Sequence, residues 1–464
     1  MNLEALLPNP GQRLFEVALV GAGEFGRTFL SQARRVAGLR GRVVCDRDAA
    51  RAVEALVAMG IEPEAVSRCD SPREAREAFD AGNYVVVQDA SLLLDLPLDM
   101  VVEATGIPEA AAAIAEGALA HGMHVAMVTK EAESVVGPLL SQRARAAGLV
   151  YTPVDGDQPS LLIGLVSWCR LLGLEILSAG KASEYDFIYD PASESVTAQG
   201  RSLTVPEMRR LWSVEAGGLA SCARERASLL SEFWHRTVPD LCEMTIVANA
   251  TGLVPDVPGL HAPIARTLEL PDLFGLRKEG GLTSRRATVD IFNCLRRPDE
   301  LSFAGGVYVV AEAPDPETAQ LFAEKGIPVS ADLRRVLVHN PVHLLGAEAP
   351  MSVLSACLAG KSTGAAAPEP LVDLVARAAQ DIPRGTCFEL GWRHTIAGLE
   401  PEMLVAAETD EAPPPLPYYL LPGAQARVDI PAGTRIIAAM VTPPEHSVLW
   451  RLRREQEELF GKSA

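Results

Sequence analysis

The chain has 464 residues, of which 48% are hydrophobic and 22% are charged, and its formal net charge is −18. This length exceeds one typical hydrophobic core, so we expect two or three domains. The excess of acidic residues argues against nucleic acid or an anionic membrane as the main partner. Anionic small substrates stay compatible with the sequence, because a local basic pocket can lie within an acidic surface.

The eight cysteines are scattered and form no CxxC pair, and most of them lie in apolar runs. We therefore expect buried free thiols in a reducing compartment. No basic region followed by an apolar core opens the chain, and no apolar stretch reaches the ~18 residues of a membrane span. These features predict a cytoplasmic protein with a small-molecule substrate, with neither nucleic acid nor a membrane as partner.

Residues 14–46 form the most informative segment. An apolar run leads into Gly21-Ala22-Gly23-Glu24-Phe25-Gly26, and a helical pattern and a second β-branched run follow. In a dinucleotide-binding turn, Gly21 allows the tight turn, Gly23 lets the backbone approach a pyrophosphate, and Gly26 lets the helix pack against the strand. We expect the backbone of this turn, including Glu24 and Phe25, to bind NAD or NADP through the N–H groups at the helix start.

The residues after the second strand leave the choice of nucleotide open. Asp46 lies 20 positions after Gly26 and favours the ribose 2′-hydroxyl of NAD. The next residue, Arg47, is suited to the 2′-phosphate of NADP. The sequence alone therefore predicts either cofactor.

Strand and helix patterns alternate through the first ~150 residues, which predicts a doubly wound parallel sheet. The further strands are predicted at residues 84–88, 100–104, 124–128 and 149–152, and helices at 108–121 and 136–147. Thr105 and Gly106 follow one of these strands, where the edge of such a sheet lines the cofactor crevice. We expect both residues to bind the cofactor.

Two lysines are candidate catalytic residues. Lys130 follows the strand at 124–128, where its ammonium can polarise a substrate carbonyl or move its proton. Lys181, with Glu184 and Asp186 close behind, can neutralise a phosphate or carboxylate. For both lysines the alternative interpretation is an ordinary solvated charge.

Asp155 and Asp157 flank a glycine between a strand end and a helix start. Their carboxylates can bind a divalent cation such as Mg²⁺ or Mn²⁺. The alternative is that Asp157 or Ser160 only caps the following helix. Two further pairs are weaker candidates, namely Arg296 with Arg297, and His339 with His343 on a shared helix face interrupted by Pro341.

The rest of the chain is predicted in two parts. Residues 160–172 indicate a helix, residues 244–248 and 305–310 indicate strands, and residues 190–201 indicate a loop that can act as a lid. After a linker beyond Gly364, the segment Asp-Ile-Pro-x-Gly-Thr occurs at 381–386 and again at 429–434, which predicts two strand–turn units in a small β domain. A charged amphipathic helix is predicted at 449–461.

The segments VALVGAGEFG, VTKEAES, YTPVDGDQPSLLIGLVSW and HLLGAEAPMSVLSA together resemble the "predicted homoserine dehydrogenase" group. That resemblance covers nearly the whole chain and implies a SAF-type domain at its end, which the repeat resembles. The group includes reductoisomerase-like enzymes that convert 1-deoxy-D-xylulose 5-phosphate to 2-C-methyl-D-erythritol 4-phosphate with NADPH.

Two established families share parts of the pattern. Standard reductoisomerases have an Asn-Lys-Glu segment and a metal-binding Pro-Val-Asp-Ser-Glu motif, to which Lys130-Glu131 and residues 153–157 are similar. This resemblance implies metal binding by Asp155 and Asp157. Homoserine dehydrogenases carry Asn-Gly-Thr-x-Asn-Tyr after the corresponding strand, where this chain has VDGDQPS and departs from their pattern.

The predicted fold is α/β, with a Rossmann domain at 1–155, an α+β substrate and dimerisation domain at 156–362 and a SAF-like β domain at 363–464. The predicted function is an NAD(P)-dependent oxidoreductase that acts on a small hydroxy-carbonyl compound, and we expect a homo-oligomer. Two alternatives stay open: a metal-independent dehydrogenase of homoserine or a sugar acid, and a cofactor-bound sensor or scaffold without catalysis.

Overall fold

A computed structural model of the protein describes residues 2–7, 9–11, 13–408 and 413–461. The ends of the outer predicted domains, Met1 and 462–464, therefore lie outside the described residues. Across the described ranges the cysteines are free, and all are buried except Cys357, which is half-buried, and Cys387, which is exposed. None of the helices in these ranges combines the length and the apolarity needed to cross a bilayer.

The first part of the chain is a doubly wound parallel sheet, as the alternating pattern predicts. Its strands lie in the order β3-β4-β2-β1-β5-β6-β7 and all pair in parallel. The strands β1 to β7 are Phe15–Val20, Leu39–Cys45, Val66–Arg68, Tyr84–Val87, Met100–Glu103, His124–Met127 and Tyr151–Pro153. The order reverses beside β1, so the crevice for a dinucleotide lies at the carboxyl ends of β1 and β5.

Helices connect the strands of this sheet, whereas the helix after its last strand packs against the second part of the chain. The helices α1 to α7 are Leu3–Leu6, Glu24–Ala33, Ala49–Ala58, Pro72–Asp80, Pro108–Ala120, Lys130–Ala146 and Gln158–Leu171. Prolines open α4 and α5, where the missing N–H has no helical partner to lose. Helix α6 begins at Lys130, six residues before the predicted start, which places this lysine in the first turn of the helix.

The second part is built on a mixed sheet in the order β11-β10-β9-β14-β8-β15-β16, with β12 and β13 also paired to β14. The strands β8 to β16 are Ile176–Ala182, Phe187–Asp190, Ser195–Ala198, Arg201–Thr204, Val254–Pro255, Ile264–Ala265, Thr288–Arg296, Val307–Glu312 and Arg335–Asn340. The helices α8 to α13 are Met208–Leu211, Leu219–Leu229, Val238–Thr251, Leu270–Leu273, Pro316–Glu324 and Ala349–Ala359.

The predicted loop at residues 190–201 is wrong, because half of this segment belongs to antiparallel strands. Strand β10 pairs with both β9 and β11. Gln199 and Gly200 connect β10 to β11 with φ angles of 52° and 74°, and two positive φ angles are typical of the tightest hairpin turns. The polar composition that suggested a loop is that of strands with one solvated face.

The predicted strand at residues 244–248 is also wrong, because these residues lie inside α10. This helix is buried along nearly its whole length. A short apolar run does not distinguish a buried helix from a buried strand by periodicity. The boundary signals were present, since Thr237 and Asp240 form a capping box and Gly252 ends the helix with a φ of 74°.

The third part contains small antiparallel sheets and a final helix. The strands β17 to β20 are Val372–Ala378, Leu399–Val405, Gln425–Ala426 and Val441–Thr442, and helix α14 is Val448–Phe460. Helix α14 packs against α5 and α6 of the first part, and α13 packs against α2. The predicted domain boundaries and the SAF-type assignment stay predictions.

The repeated Asp-Ile-Pro-x-Gly-Thr segments pair with each other. Ile382 and Ile430 exchange both backbone hydrogen bonds at 2.8 Å. The Asp381 carboxylate accepts from the Ala432 N–H at 2.8 Å, and the Asp429 carboxylate accepts from the Arg384 N–H at 2.7 Å. Each copy therefore caps the turn of the other, which explains why the segment occurs twice.

Candidate active site

The glycine turn has the geometry of a phosphate cradle. Gly21 has a φ of +101°, and a Cβ on it would lie 2.3 Å from the Ala104 carbonyl oxygen. A Cβ on Gly26 would lie 2.2 Å from the Gly21 carbonyl oxygen, so both positions require glycine. A Cβ on Gly23 would meet nothing within 4 Å. The fold itself therefore does not require Gly23, and the space beside it at the N-terminus of α2 fits a pyrophosphate.

Glu24 and Phe25 form the first turn of α2, where Glu24 is exposed and Phe25 is half-buried. The loop before α13 packs on this turn, since a Cβ on Gly346 would lie 2.4 Å from the Phe25 carbonyl oxygen. This contact holds the start of α2 against a segment more than 300 residues later in the chain.

Asp46 directly follows the carboxyl end of β2. Its carboxylate accepts from the Ala22 N–H at 2.7 Å and from the Asp48 N–H at 2.9 Å. This anchored carboxylate lies beside the glycine turn, where a ribose hydroxyl would bind. Arg47 is exposed, and its carbonyl accepts from the Gln88 side chain at 2.7 Å. The choice between NAD and NADP stays a prediction.

Thr105 and Gly106 tie the ends of β5 and β6 together. The Thr105 N–H and hydroxyl donate to the Glu103 carboxylate at 2.9 and 2.6 Å, and the Gly106 N–H donates to the Thr129 hydroxyl at 2.9 Å. Burial raises the pKa of Glu103 to about 7, against the hydrogen bonds that it accepts.

A cluster of buried charges lies next to this edge. Lys130 contacts the Glu243 carboxylate and lies 3.6 Å from that of Asp157. Lys181 contacts the other oxygen of Glu243 and lies 2.9 Å from Asp240. Two ammonium groups thus alternate with three carboxylates, and Glu243 bridges both lysines.

The cluster keeps its charges because its members compensate one another. Burial opposes the charge on Lys130, but the carboxylates of Asp157 and Glu243 outweigh it and hold the pKa of this lysine well above its usual value. Burial also opposes ionisation of Glu243, but the two lysines lower its pKa. For Asp157 burial prevails, and its pKa is raised despite Lys130.

The two predicted lysines occupy different places. Lys130 keeps 21% of its side chain exposed, whereas Lys181 is fully buried behind Glu243. Sequence reasoning missed Asp240 and Glu243, since the strand predicted at 244–248 hid the helix that carries them. Acidic residues spaced i and i+3 within an otherwise apolar helix were the available signal.

Asp155 and Asp157 do not converge on one point. The Asp155 carboxylate accepts from the Ser160 hydroxyl at 2.6 Å, and burial raises its pKa to about 6. The Asp157 carboxylate instead lies beside Lys130 and accepts from the Gln158 N–H at 3.0 Å, so it does cap α7. Over residues 2–408 and 413–461, apart from the gaps at 8 and 12, no three His, Cys, Asp or Glu side chains are grouped to hold a metal. Metal binding by Asp155 and Asp157 therefore stays a prediction.

The remaining candidates lie in or next to strands of the mixed sheet. Arg296 pairs with Asp186 at 2.5 Å and donates to two backbone carbonyls, one of them that of Arg297. His339 lies in strand β16, and His343 lies in the irregular segment after it. The predicted shared helix face is therefore wrong, and Pro341 lies after the strand.

A cavity of about 360 Å³ opens at the cofactor edge. Gly106, Lys130 and Glu131 of the first part line it, together with Glu184 and Thr237 of the second part. The third part closes the cavity with two residues, Arg393 and His394. A small molecule bound here would lie between the end of β5 and the Lys130 ammonium.

Two family models match adjacent segments of the chain. Residues 21–153 match the homoserine dehydrogenase NAD-binding domain, and residues 156–349 match the catalytic domain of the oxidoreductase DRL. No curated protein is significantly similar to this chain in sequence.

Solved structures show only distant and partial likeness. An Agrobacterium radiobacter oxidoreductase in complex with NAD⁺, L-tartaric acid and magnesium is 20% identical over 37% of this chain and 45% of its own, with a TM-score of 0.28. A Lactobacillus casei myo-inositol dehydrogenase with NAD(H) and myo-inositol is 17% identical over 38% of this chain and 47% of its own, with a TM-score of 0.28. A DOX-P reductoisomerase with fosmidomycin and magnesium is 19% identical over 37% of this chain and 46% of its own, with a TM-score of 0.27.

The chain thus spans less than half the length of these structures, and likeness at this level carries no argument about substrate. The domain matches are more informative, because an NAD-binding domain precedes an oxidoreductase catalytic domain. The cradle at Gly23 and the Asp46 carboxylate lie within the first matched segment, and the cluster around Glu243 is centred in the second. The chain therefore joins a segment that matches a homoserine dehydrogenase-type NAD-binding domain to a segment that matches a DRL-type oxidoreductase catalytic domain.

Proposed function

We propose that this oxidoreductase interconverts a carbonyl and a hydroxyl group on a small hydroxy-carbonyl compound bound in the 360 Å³ cavity. The observation that carries the proposal is the place of Lys130. Its ammonium lies in the first turn of α6, at the end of β6, and lines the cavity together with Gly106 at the cofactor edge.

Lys130 is suited to hold a carbonyl oxygen in place. The carboxylates of Asp157 and Glu243 keep it charged, so it can donate a hydrogen bond to the oxygen and stabilise negative charge that develops there. Lys181 and Asp240 act behind it, since they fix the Glu243 carboxylate from the other side. The bound nicotinamide supplies or accepts the hydride.

A second candidate is a reductoisomerase-like reaction on 1-deoxy-D-xylulose 5-phosphate. The match of residues 156–349 to the DRL catalytic domain supports it. A reaction of that kind with a metal on Asp155 and Asp157 would require these side chains to leave their present partners, Ser160 and Lys130. We therefore favour a reaction in which Lys130, without a metal, polarises the carbonyl.

A substrate panel tests the two candidates. NADH and NADPH oxidation is measured with hydroxy acids, polyols, homoserine and 1-deoxy-D-xylulose 5-phosphate, each with Mg²⁺ and with EDTA. Turnover that survives EDTA supports the Lys130 reaction, and turnover only of the phosphorylated sugar with Mg²⁺ supports the second candidate. Cofactor that binds but turns over with no compound would leave a non-catalytic sensor as the explanation.

The role of Lys130 is tested with Lys130→Met. We expect kcat to fall by a factor on the order of 10² to 10³, as for removal of one donor from an oxyanion site, while the Kd for NADPH changes little. The exposed Lys278 offers the matched control, Lys278→Met, which should keep full activity. Activity of Lys130→Met equal to that of the control would contradict the proposal.

A further inference from the structure

The third part of the chain inserts a tight turn into the cavity. In residues 391–395 the Gly391 N–H donates to the Thr395 carbonyl at 2.7 Å, which closes the turn. Arg393 and His394 both adopt left-handed backbone angles, with φ of 53° and 58°. Such angles cost on the order of 1 kcal/mol or more for each non-glycine residue, and they often occur at functional sites.

Stacking contacts hold this turn in its strained form. The Arg393 guanidinium lies 4.4 to 4.9 Å from the ring centres of Tyr185, Trp234 and Trp392. It also donates to the Tyr185 hydroxyl. Because Tyr185 and Trp234 belong to the second part of the chain, these contacts fix the turn against the DRL-type segment.

The turn places the His394 ring between Glu131 and Gly106. Its Nδ1 lies 2.8 Å from the carboxylate of Glu131, which is 2% exposed and follows Lys130 directly. A Cβ placed on Gly106 would lie 3.2 Å from His394 Cε1 and 3.9 Å from Nε2. A carboxylate thus lies at ion-pair distance from one ring nitrogen, and the side with the other nitrogen faces the cofactor edge.

We propose that His394 is the proton-transferring residue of this site, which rests on the proposed function. In the reductive direction, the hydride adds to the carbonyl carbon and the π electron pair moves to the oxygen. That oxygen takes the proton from His394 Nε2, so imidazolium becomes neutral imidazole and the carbonyl becomes a hydroxyl group. In the oxidative direction, neutral His394 accepts the hydroxyl proton as the hydride leaves.

Lys130 and His394 have different roles in this site, because their neighbours differ. The Lys130 ammonium is engaged by carboxylates and serves as a fixed donor. The Glu131 carboxylate raises the pKa of His394, against burial and the repulsion of Lys130, so the ring can exchange a proton near neutral pH. Glu184 and Arg393 are the other charged groups that line the same cavity. His394 lies outside both segments matched by family models, so neither match assigns it a role.

The variants His394→Gln and His394→Ala test this proposal, with His446→Gln as the control. His446 also lies in the third part of the chain with a φ of 58°, but it is exposed. We expect both His394 variants to bind NADPH with unchanged Kd and to lose 10²-fold or more in kcat, in the usual range for a proton-transfer group. The limb of the kcat–pH profile that belongs to the histidine should disappear.

The possible outcomes separate the two proposals. An active wild-type enzyme whose His394→Gln variant keeps kcat within about threefold and an unchanged pH profile overturns the role of His394 and leaves the proposed function standing. A wild-type protein that binds NADPH and turns over no compound of the panel overturns both. A loss confined to KM, with the pH profile intact, also overturns proton transfer by this residue.

Discussion

The charge cluster depends on complete pairing, since three of its five members are almost inaccessible to water. Lys181 is 0% exposed, and its ammonium compensates Asp240 and Glu243, which are 2% and 0% exposed. An isolated buried carboxylate is strongly unfavourable, whereas a paired one is tolerated. The stability of the protein and the electrostatics of its site therefore depend on the same residues.

Removing the Lys181 ammonium should destabilise the whole fold. We expect Lys181→Met to lower the free energy of unfolding by about 3 kcal/mol or more, because one partner of a buried ion pair is lost. Urea unfolding measures this, with the exposed Lys278→Met as control, for which about 0.5 kcal/mol or less is expected. Equal effects of the two substitutions would show that the buried pairs do not contribute to stability.

Glu133 should make stability depend on pH. It accepts a hydrogen bond from the Tyr151 hydroxyl, and burial raises its pKa to about 7. Because this pKa is raised in the folded state, protonated Glu133 stabilises the folded state fully below pH ~4.5. This stabilisation is lost as the pH rises through ~7 and the carboxyl group ionises. The free energy of unfolding of the wild type should therefore fall between pH 5 and pH 8.

The variant Glu133→Gln removes this titration and keeps an acceptor for Tyr151. We expect its loss of stability between pH 5 and pH 8 to be smaller than that of the wild type by about 3 kcal/mol or less. Glu103, whose pKa is raised to about 7 as well, and Asp155, whose pKa is raised to about 6, contribute to the pH dependence that remains. Identical pH profiles for wild type and variant would contradict the effect of Glu133.

At the scale of elements, α14 supplies hydrogen bonds where the backbone hydrogen bonding of α6 is interrupted. Pro138 lies inside α6 and provides no N–H for the helix. Next to it, the Gln456 side chain of α14 accepts from the Leu139 N–H at 3.1 Å and donates to the Val135 carbonyl at 2.9 Å. These two groups are one helical turn apart, so the amide of Gln456 bridges the helix at its weak point.

The substitution Gln456→Leu should leave two buried backbone groups without this partner. We expect the free energy of unfolding to fall by about 1–3 kcal/mol, the cost of unsatisfied buried polar groups. Glu458→Leu, an exposed position on the same helix, is the control and should change stability little. The two variants are compared by thermal unfolding, and equal melting temperatures would contradict the bridging role.

The elements also show where sequence patterns stop being informative. The Rossmann strands and the glycine turn followed from local rules, because the three glycines and the strand and helix that flank them lie within one βαβ unit of the sequence. Helix α10 did not, since burial on all sides removes the apolar periodicity on which the distinction depends. The strands β10 and β11 were missed because antiparallel strands with one solvated face carry few apolar residues.

At the scale of the molecule, the site is assembled from residues far apart in the chain. Lys130 and Glu243 are separated by 113 residues, and Arg393 reaches Tyr185 across 208 residues. Lys130 could be predicted because its place at a strand end is a local property. Its partner Glu243 and the closing turn at 391–395 could not, since packing between parts of the chain decides both.

This assembly predicts that the cofactor orders two distant segments. NADP⁺ bound at the glycine turn and extended along the end of β5 would reach Gly106, against which His394 packs. Amide hydrogen exchange should therefore slow on NADP⁺ addition at residues 21–26 and also at residues 391–395. The turn at 381–386 lies in the same third part but lines no side of this cavity, so it serves as the internal control and should exchange at an unchanged rate. Slowing confined to residues 1–155 would mean that the turn with His394 does not sense the cofactor, and that the three parts of the chain do not act together at this site.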